Sequence, residues 1–239
     1  MVITIEDKNQ LIAKFIKPLS SLTESVVVKC NDNRLTCLAN NELGVILYAT
    51  YKINLEDNIQ FNIPDIKRFE KIISYINTNK IDLTYKSNAL SYKDSNIRFK
   101  YHFLEDGLIQ TPRLSVEKIA SLTSNIDFTI DYAKIIELSK GASFVGESEK
   151  LYFTITDDGV YGEITDKTNS SVDSYAIKLL DEKLDNDVSF PVNFDIVRLL
   201  SSVNTDKIKV RLNTDIGLSM FEIETEIASL KYIVSGLQS

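Results

Sequence analysis

The chain has 239 residues, 44% apolar and 26% charged, with only 8 Gly and 4 Pro, which excludes collagen-like and disordered chains and leaves room for one large domain or two smaller ones. A formal net charge of −7 argues at first against phosphate binding, which Lys and Arg largely perform, but it leaves open where the charges sit. Apolar runs fall short of the ~18 residues of a membrane span, and "MVITIEDKNQ" carries no basic flank before an apolar stretch, so no span and no secretory leader are expected and the protein is expected in the cytoplasm.

The first segment, "TIEDKNQLIAKFIKPL", puts Leu11, Ile12, Phe15, Ile16 and Leu19 on one face and predicts a helix that ends at or near Pro18. "SVVVKCN", "RLTCLAN" and "LGVILYATYKI", rich in β-branched and aromatic residues and parted by Asn/Asp turns, predict antiparallel strands. Cys30 and Cys37 flank the first of these turns. A bridge, or a metal site with two further ligands, is open by position, but no CxxC and no second Cys/His pair exists, so buried reduced thiols are expected. In "IPDIKRFEKIISYI" the stripe Ile66, Phe69, Ile72, Ile73 and Ile76 predicts a second helix with Pro64 near its start. "KIDLTY", "ALSYK" and "NIRFKYHFL" follow as strands, and the last holds the single histidine, His102, in a structural role.

The second half repeats the first. "INTNKI" at residues 76–81 returns as "VNTDKI" at residues 203–208, each leading from a helix into a strand. "FTIDYAKIIELSK" answers "TIEDKNQLIAKFIK", with Thr129 and Ile130 on Thr4 and Ile5. "KLYFTITDDGVYGEIT" stands in the place of the first hairpin, with Asp158-Gly159 as its turn. "NFDIVRLLSSV" places Ile196, Leu199, Leu200 and Val203 on one face, like the earlier Phe/Ile stripe, and "LSMFEIET" and "ASLKYIVS" close the unit. The chain therefore reads as a tandem duplication of α+β units: residues 1–104, a connector of residues 105–125 in which "VEKIASL" is a candidate helical turn, and residues 126–239.

No phosphate loop, GxSxG, HExxH or calcium-hand ladder is present, and the acidic pairs Glu105-Asp106 and Asp157-Asp158 read as solvated turns, so no enzyme and no cofactor or metal is expected. The informative charges lie opposite the apolar stripes at ~100° per residue. Lys14 and Lys17 face outward on the first helix; Lys67, Lys71 and, at the flank, Arg68 on the second; Lys134 (beside Glu137) and Lys140 on the third; and Arg198 on the fourth. Any soluble helix shows lysines on its outer face, yet an acidic chain that turns basic residues outward on four helices points to an anionic partner.

A duplicated unit of strand, helix, hairpin, strands and helix, with an extended connector, basic outer helix faces and a last strand reading "SLKYIVSGLQ", resembles the DNA sliding clamps. Phage polymerase processivity factors, and more distantly proliferating cell nuclear antigen, share the design. The resemblance implies a clamp fold in which two helices per domain pack on antiparallel sheet and six such units form a ring, helices inside and sheet outside, so that two units per chain imply a homotrimer. It further implies non-specific double-stranded DNA in the hole, a tethered DNA polymerase, a clamp loader, and no membrane. By position, subunits would pair "NIRFKYHFL" (Arg98, Phe99, Tyr101, Phe103) with "SSVDSYAIKL" (Val172, Tyr175, Ile177), and a partner peptide would dock at Leu38, Leu43, Leu108, Ile109, Ile233 and Val234. Two other readings stand beside this one. A phage structural or assembly protein built on a duplicated β-rich unit would form larger arrays and ignore DNA, and a monomeric processivity factor would need stronger basic faces.

Overall fold

The computed structural model describes residues 1–145, 150–169, 171–184 and 187–237. The chain divides into two units, Met1–Val116 with Glu224–Leu230, and Glu117–Ile223 with the chain from Lys231 onward.

In the first unit β1 (Val2–Ile5) leads into a continuous helical stretch made of α1 (Lys8–Leu11), a π-helical turn (Ile12–Ile16) and α2 (Lys17–Leu22). Asp7 starts it, its carboxylate accepting the Gln10 amide at 2.9 Å. The helix does not end at Pro18, which sits buried at the first turn of α2. Proline inside a helix lacks a donor and crowds the carbonyl four residues back. Here the turn widens ahead of it, the Lys17 amide reaching back five residues to the Ile12 carbonyl, and the chain stays helical to Leu22. Then come β2 (Val26–Asn31), β3 (Arg34–Asn40), β4 (Ile46–Lys52), β5 (Ile59–Ile63), α3 (Ile66–Ser74), β6 (Ile81–Lys86), β7 (Ala89–Lys93) and β8 (Arg98–His102). The turns Asp32-Asn33 and Ser87-Asn88 have positive φ at both residues, as tight two-residue hairpins require. Strand orders are β1-β6-β7-β8 and β5-β2-β3-β4. Glu224–Leu230 bring a further strand start to β4, where the Lys52 amide donates to the Ile227 carbonyl at 2.7 Å. Phe15, Leu19, Phe69 and Ile73 close the core beneath the helices, and Phe61, Tyr85, Phe103 and Tyr101 form a chain of ring contacts. Cys30 and Cys37 are buried free thiols, and burial pushes Cys37 up to about 12.

After α4 (Val116–Ala120), the second unit repeats this plan with β9 (Ile126–Asp131), α5 (Tyr132–Val145), β10 (Lys150–Thr156), β11 (Gly159–Ile164), β12 (Tyr175–Leu180), β13 (Val188–Asn193), α6 (Asp195–Ser201), β14 (Lys207–Asn213), β15 (Leu218–Glu224) and β16 (Ala228–Ser235). The orders β9-β14-β15-β16 and β13-β10-β11-β12 match those of the first unit strand for strand. β1 registers on β6 at Ile5↔Ile81, and β9 on β14 at Ile130↔Ile208. The copies even tie the first helix to the end of the second in the same way. The Lys8 amide donates to the Asn79 carbonyl and the Tyr132 amide to the Asp206 carbonyl, both at 2.9 Å. The side chains differ. The buried Lys8 ammonium donates to the Ile76 carbonyl, whereas the Tyr132 hydroxyl reaches the Ser201 carbonyl at 2.6 Å.

Candidate nucleic-acid interface

The most basic surface among the described residues of the helices is the outer face of α3. Asp65 caps it, accepting the Arg68 amide at 2.8 Å, and the buried Ile66, Phe69 and Ile73 anchor the opposite side. Lys67, Arg68 and Lys71 are exposed and form no ion pair among the described residues. Glu70, the one acid in this helix, is half-buried and accepts from the Ser20 hydroxyl on α2, so it does not neutralise the basic face. Lys17 is also exposed, whereas Lys14, expected to point outward, is half-buried in the widened π turn beside a polar groove that Gln10 and Asp7 share.

The second unit is weaker. Lys140 is exposed, but Lys134 is half-buried with its ammonium 3.1 Å from Glu137, and Arg198 is bonded to Asp195 one turn earlier while stacking over Phe194. The Arg198–Asp195 pair went unread in the sequence, although its i,i+3 spacing signals it.

Among the strands that end a sheet are β8 in the first unit and β12 in the second. The Asp94 amide closes the β7–β8 turn on the Ile97 carbonyl at 2.9 Å, and the Phe103 amide bonds the Asn88 carbonyl at 3.0 Å. Antiparallel pairing alternates, so Phe99, Tyr101 and Phe103 exchange bonds with β7 while the backbone groups of Arg98, Lys100 and His102 turn away from it. By the same alternation from the Thr156↔Gly159 turn, Ile177 and Tyr175 bond β11 and Ala176 faces out. Of the residues expected at the seam, Arg98 turns its backbone outward, whereas Phe99, Tyr101, Phe103, Tyr175 and Ile177 turn theirs toward their own sheet. Tyr101, Phe103 and Ile177 are buried in their own units because they serve the core, with Tyr101 5.2 Å from the Phe69 ring and its hydroxyl on the Asp65 carbonyl at 2.8 Å. Val172 precedes β12, in a turn closed on Asn169. Tyr175 lies so close on α5 that a side chain at Gly141 would meet its ring at 1.9 Å. The open backbone belongs to the residues between these, above all Lys100 and Ala176.

In the first unit a groove brings Leu38, Cys37 and Tyr48 together with Pro112, Leu114 and Val116 of the connector. Leu38 was named for peptide docking and lies there; Tyr48, Pro112 and Leu114 were not named. Leu43 lies instead beside Leu22 and Glu24, and the exposed Leu108 and half-buried Ile109 are outside the groove lining. Ile233 and Val234 in β16 are both buried in the second unit and present no surface to a peptide. Among the described residues no helix is long and apolar enough to cross a membrane.

No protein-family model and no curated protein matches the chain. Solved structures do. The chain is similar to proliferating cellular nuclear antigen from Entamoeba histolytica, with 14% identity over 99% of this chain and 98% of that one and a TM-score of 0.77. It is equally similar to the proliferating cell nuclear antigen of A. fulgidus, solved with the C-terminal region of FEN-1, with 14% identity over 100% of this chain and 98% of that one and a TM-score of 0.76. The likeness is one of fold, and the fold is the sliding-clamp fold expected from the duplicated sequence.

Proposed function

We propose that the protein is a sliding clamp: three copies close into a ring around double-stranded DNA, and the ring holds a DNA polymerase at its template in the cytoplasm of the cell where that DNA is copied. The observation that carries this is the open strand edge in each copied unit. β12 is the counterpart of β4, and β8 the counterpart of β16. In the first unit β4 has the start of β16 beside it, whereas β12 and β8 have no further neighbour among the described residues. Pairing β8 of one copy with β12 of the next repeats the β4–β16 arrangement and removes both edges.

Six units from three copies make the ring, with residues 105–125 as the connector inside each chain. The helices would face the DNA. Lys17, Lys67, Arg68, Lys71 and Lys140 would attract phosphates without reading bases, and Lys14, Lys134 and Arg198 would add less because they are half-buried or paired. The groove of Leu38, Tyr48, Pro112 and Leu114 is the candidate dock for an apolar peptide of a polymerase or loader. Tethering raises the polymerase's effective concentration, worth ~10²- to 10⁴-fold in avidity. The test combines native mass spectrometry with long-template synthesis by a cognate polymerase. A trimer that lengthens products supports the proposal; a persistent monomer, or larger arrays indifferent to DNA, sinks it.

A further inference from the structure

The two units supply an internal comparison. Equivalent positions of α3 and α6 hold the same fold but different chemistry: Lys67, Arg68, Lys71 and Tyr75 in the first are Phe194, Asp195, Arg198 and Ser202 in the second. α6 is neutralised within itself, since Asp195 takes Arg198. α3 keeps three cations free of ion pairs among the described residues and adds Tyr75, which at 75% is the most exposed large apolar side chain among them. Tyr75 sits at the C-cap in helical geometry, its amide on the Lys71 carbonyl at 3.2 Å. Lys67, Lys71 and Tyr75 therefore follow one another at intervals of one helical turn on one side, with Arg68 at their flank. The ring makes no aromatic contact among the described residues, so its face meets solvent.

A largely exposed phenol next to cations has a defined complement. A planar π-surface attached to phosphates satisfies it, and in DNA such a surface is free only where bases are unstacked. A duplex offers the lysines their phosphates but hides the base faces from Tyr75. We propose that the outer face of α3 is a single-strand binding ladder, with Lys67, Arg68 and Lys71 on successive phosphates and Tyr75 stacked on a base. On the clamp reading, from which the orientation of α3 toward DNA is taken, this site would hold the unpaired strand where a duplex ends. In the second unit the exposed Phe144 follows the exposed Lys140 by one turn of α5, but its ring already stacks on Tyr175 at 5.9 Å.

The chain contains no Trp, so Tyr75→Trp creates a single tryptophan reporter that is excited apart from the tyrosines. In the full chain, oligothymidylate should quench that emission, and a duplex with the same number of phosphates should quench it much less. Tyr75→Ala should weaken oligothymidylate binding about tenfold while Tyr75→Phe restores it. The Lys67→Ala/Lys71→Ala variant should weaken both single strand and duplex, with a shallower salt dependence. Quenching by duplex equal to that by single strand, equal quenching by an acidic peptide of the same charge, or unchanged oligothymidylate affinity in Tyr75→Ala each overturns the proposal. The ladder and the clamp reading separate cleanly. Quenching without clamp-dependent synthesis supports the ladder and removes the ring, whereas clamp-dependent synthesis with no quenching removes the ladder alone.

Discussion

Replacing Lys100 by proline tests the seam at the point where the backbone, not a side chain, makes it. The Lys100 amide faces away from β7, so its loss breaks no bond within the protomer, and its side chain is exposed. Proline is tolerated on a sheet edge whose donor faces out. The melting temperature of the isolated protomer should therefore stay nearly unchanged. In the ring each seam loses one hydrogen bond worth ~0.5–1.5 kcal/mol, or roughly 2–4 kcal/mol over three seams. Trimer assembly then requires about tenfold higher protein concentration, since the midpoint varies with the square root of the three-body constant. Tyr101→Pro serves as the contrast. It removes a bond to β7 and a buried ring that packs on Phe69, a loss of ~3–5 kcal/mol against a typical total of ~5–15, so it should lower the protomer's melting temperature markedly. Native mass spectrometry over a dilution series, with circular dichroism melts, reads both. If Lys100→Pro leaves the trimer midpoint where it was, β8 is not the seam.

Reversing Lys14, Lys67, Lys71, Lys134 and Arg198 to Glu should abolish clamp-dependent extension while leaving the fold, and Lys67 and Lys71 alone should account for most of the loss, because Lys134 and Arg198 are already paired; equal product lengths from wild type and the five-site variant at two salt concentrations would show these faces to be ordinary solvated surface. Tyr232→Phe should stabilise the protein by ~1–3 kcal/mol, since the Tyr232 hydroxyl is buried with no partner among the described residues, and an unchanged urea midpoint would contradict this. Asp166 is held down to about 2 by the Thr168 hydroxyl and the Lys150 ammonium, so its contribution is present above the ordinary value near ~3.9 and is lost as pH falls through about 2; acid titration of Asp166→Asn should show a shallower loss across that window, and coincident curves would remove the assignment.

The repeat was legible because hairpins announce themselves through turn residues and alternation, and "INTNKI" and "VNTDKI" mark one junction twice. β5 and β13 were not read. β5 runs straight into Pro64 and the α3 cap, which draw attention to the helix, and β13 carries Pro191, an ordinary mark against a strand. β13 tolerates it as an edge, paired only with β10. Pro18 misled in the opposite sense, because a π turn ahead of a proline leaves no apolar signature. At the site, outward direction was legible for α3 but not for Lys14, whose position depends on that same turn. At the seam, hydrophobicity points to Tyr101, Phe103 and Ile177, which the core already uses. Turn position would have selected Lys100, because counting alternate pairs from the Asp94–Ile97 closure says which amides face out.

The exchange of Lys8 for Tyr132 bears on how the chain finds its fold. A polypeptide holding two copies of one topology offers each early strand two acceptable partners, and β1 could register on β14 as readily as on β6, isoleucine against isoleucine in either case. Such mispairing is the characteristic hazard of repeated sequences during folding. The difference lies just past the strand. Docked on the wrong half, Lys8 must desolvate its ammonium in a space filled by a phenol, and Tyr132 must fit its ring where a thin alkyl stem passes. One divergent residue pair thus gives each half a means to reject the other's strand before the sheet has formed.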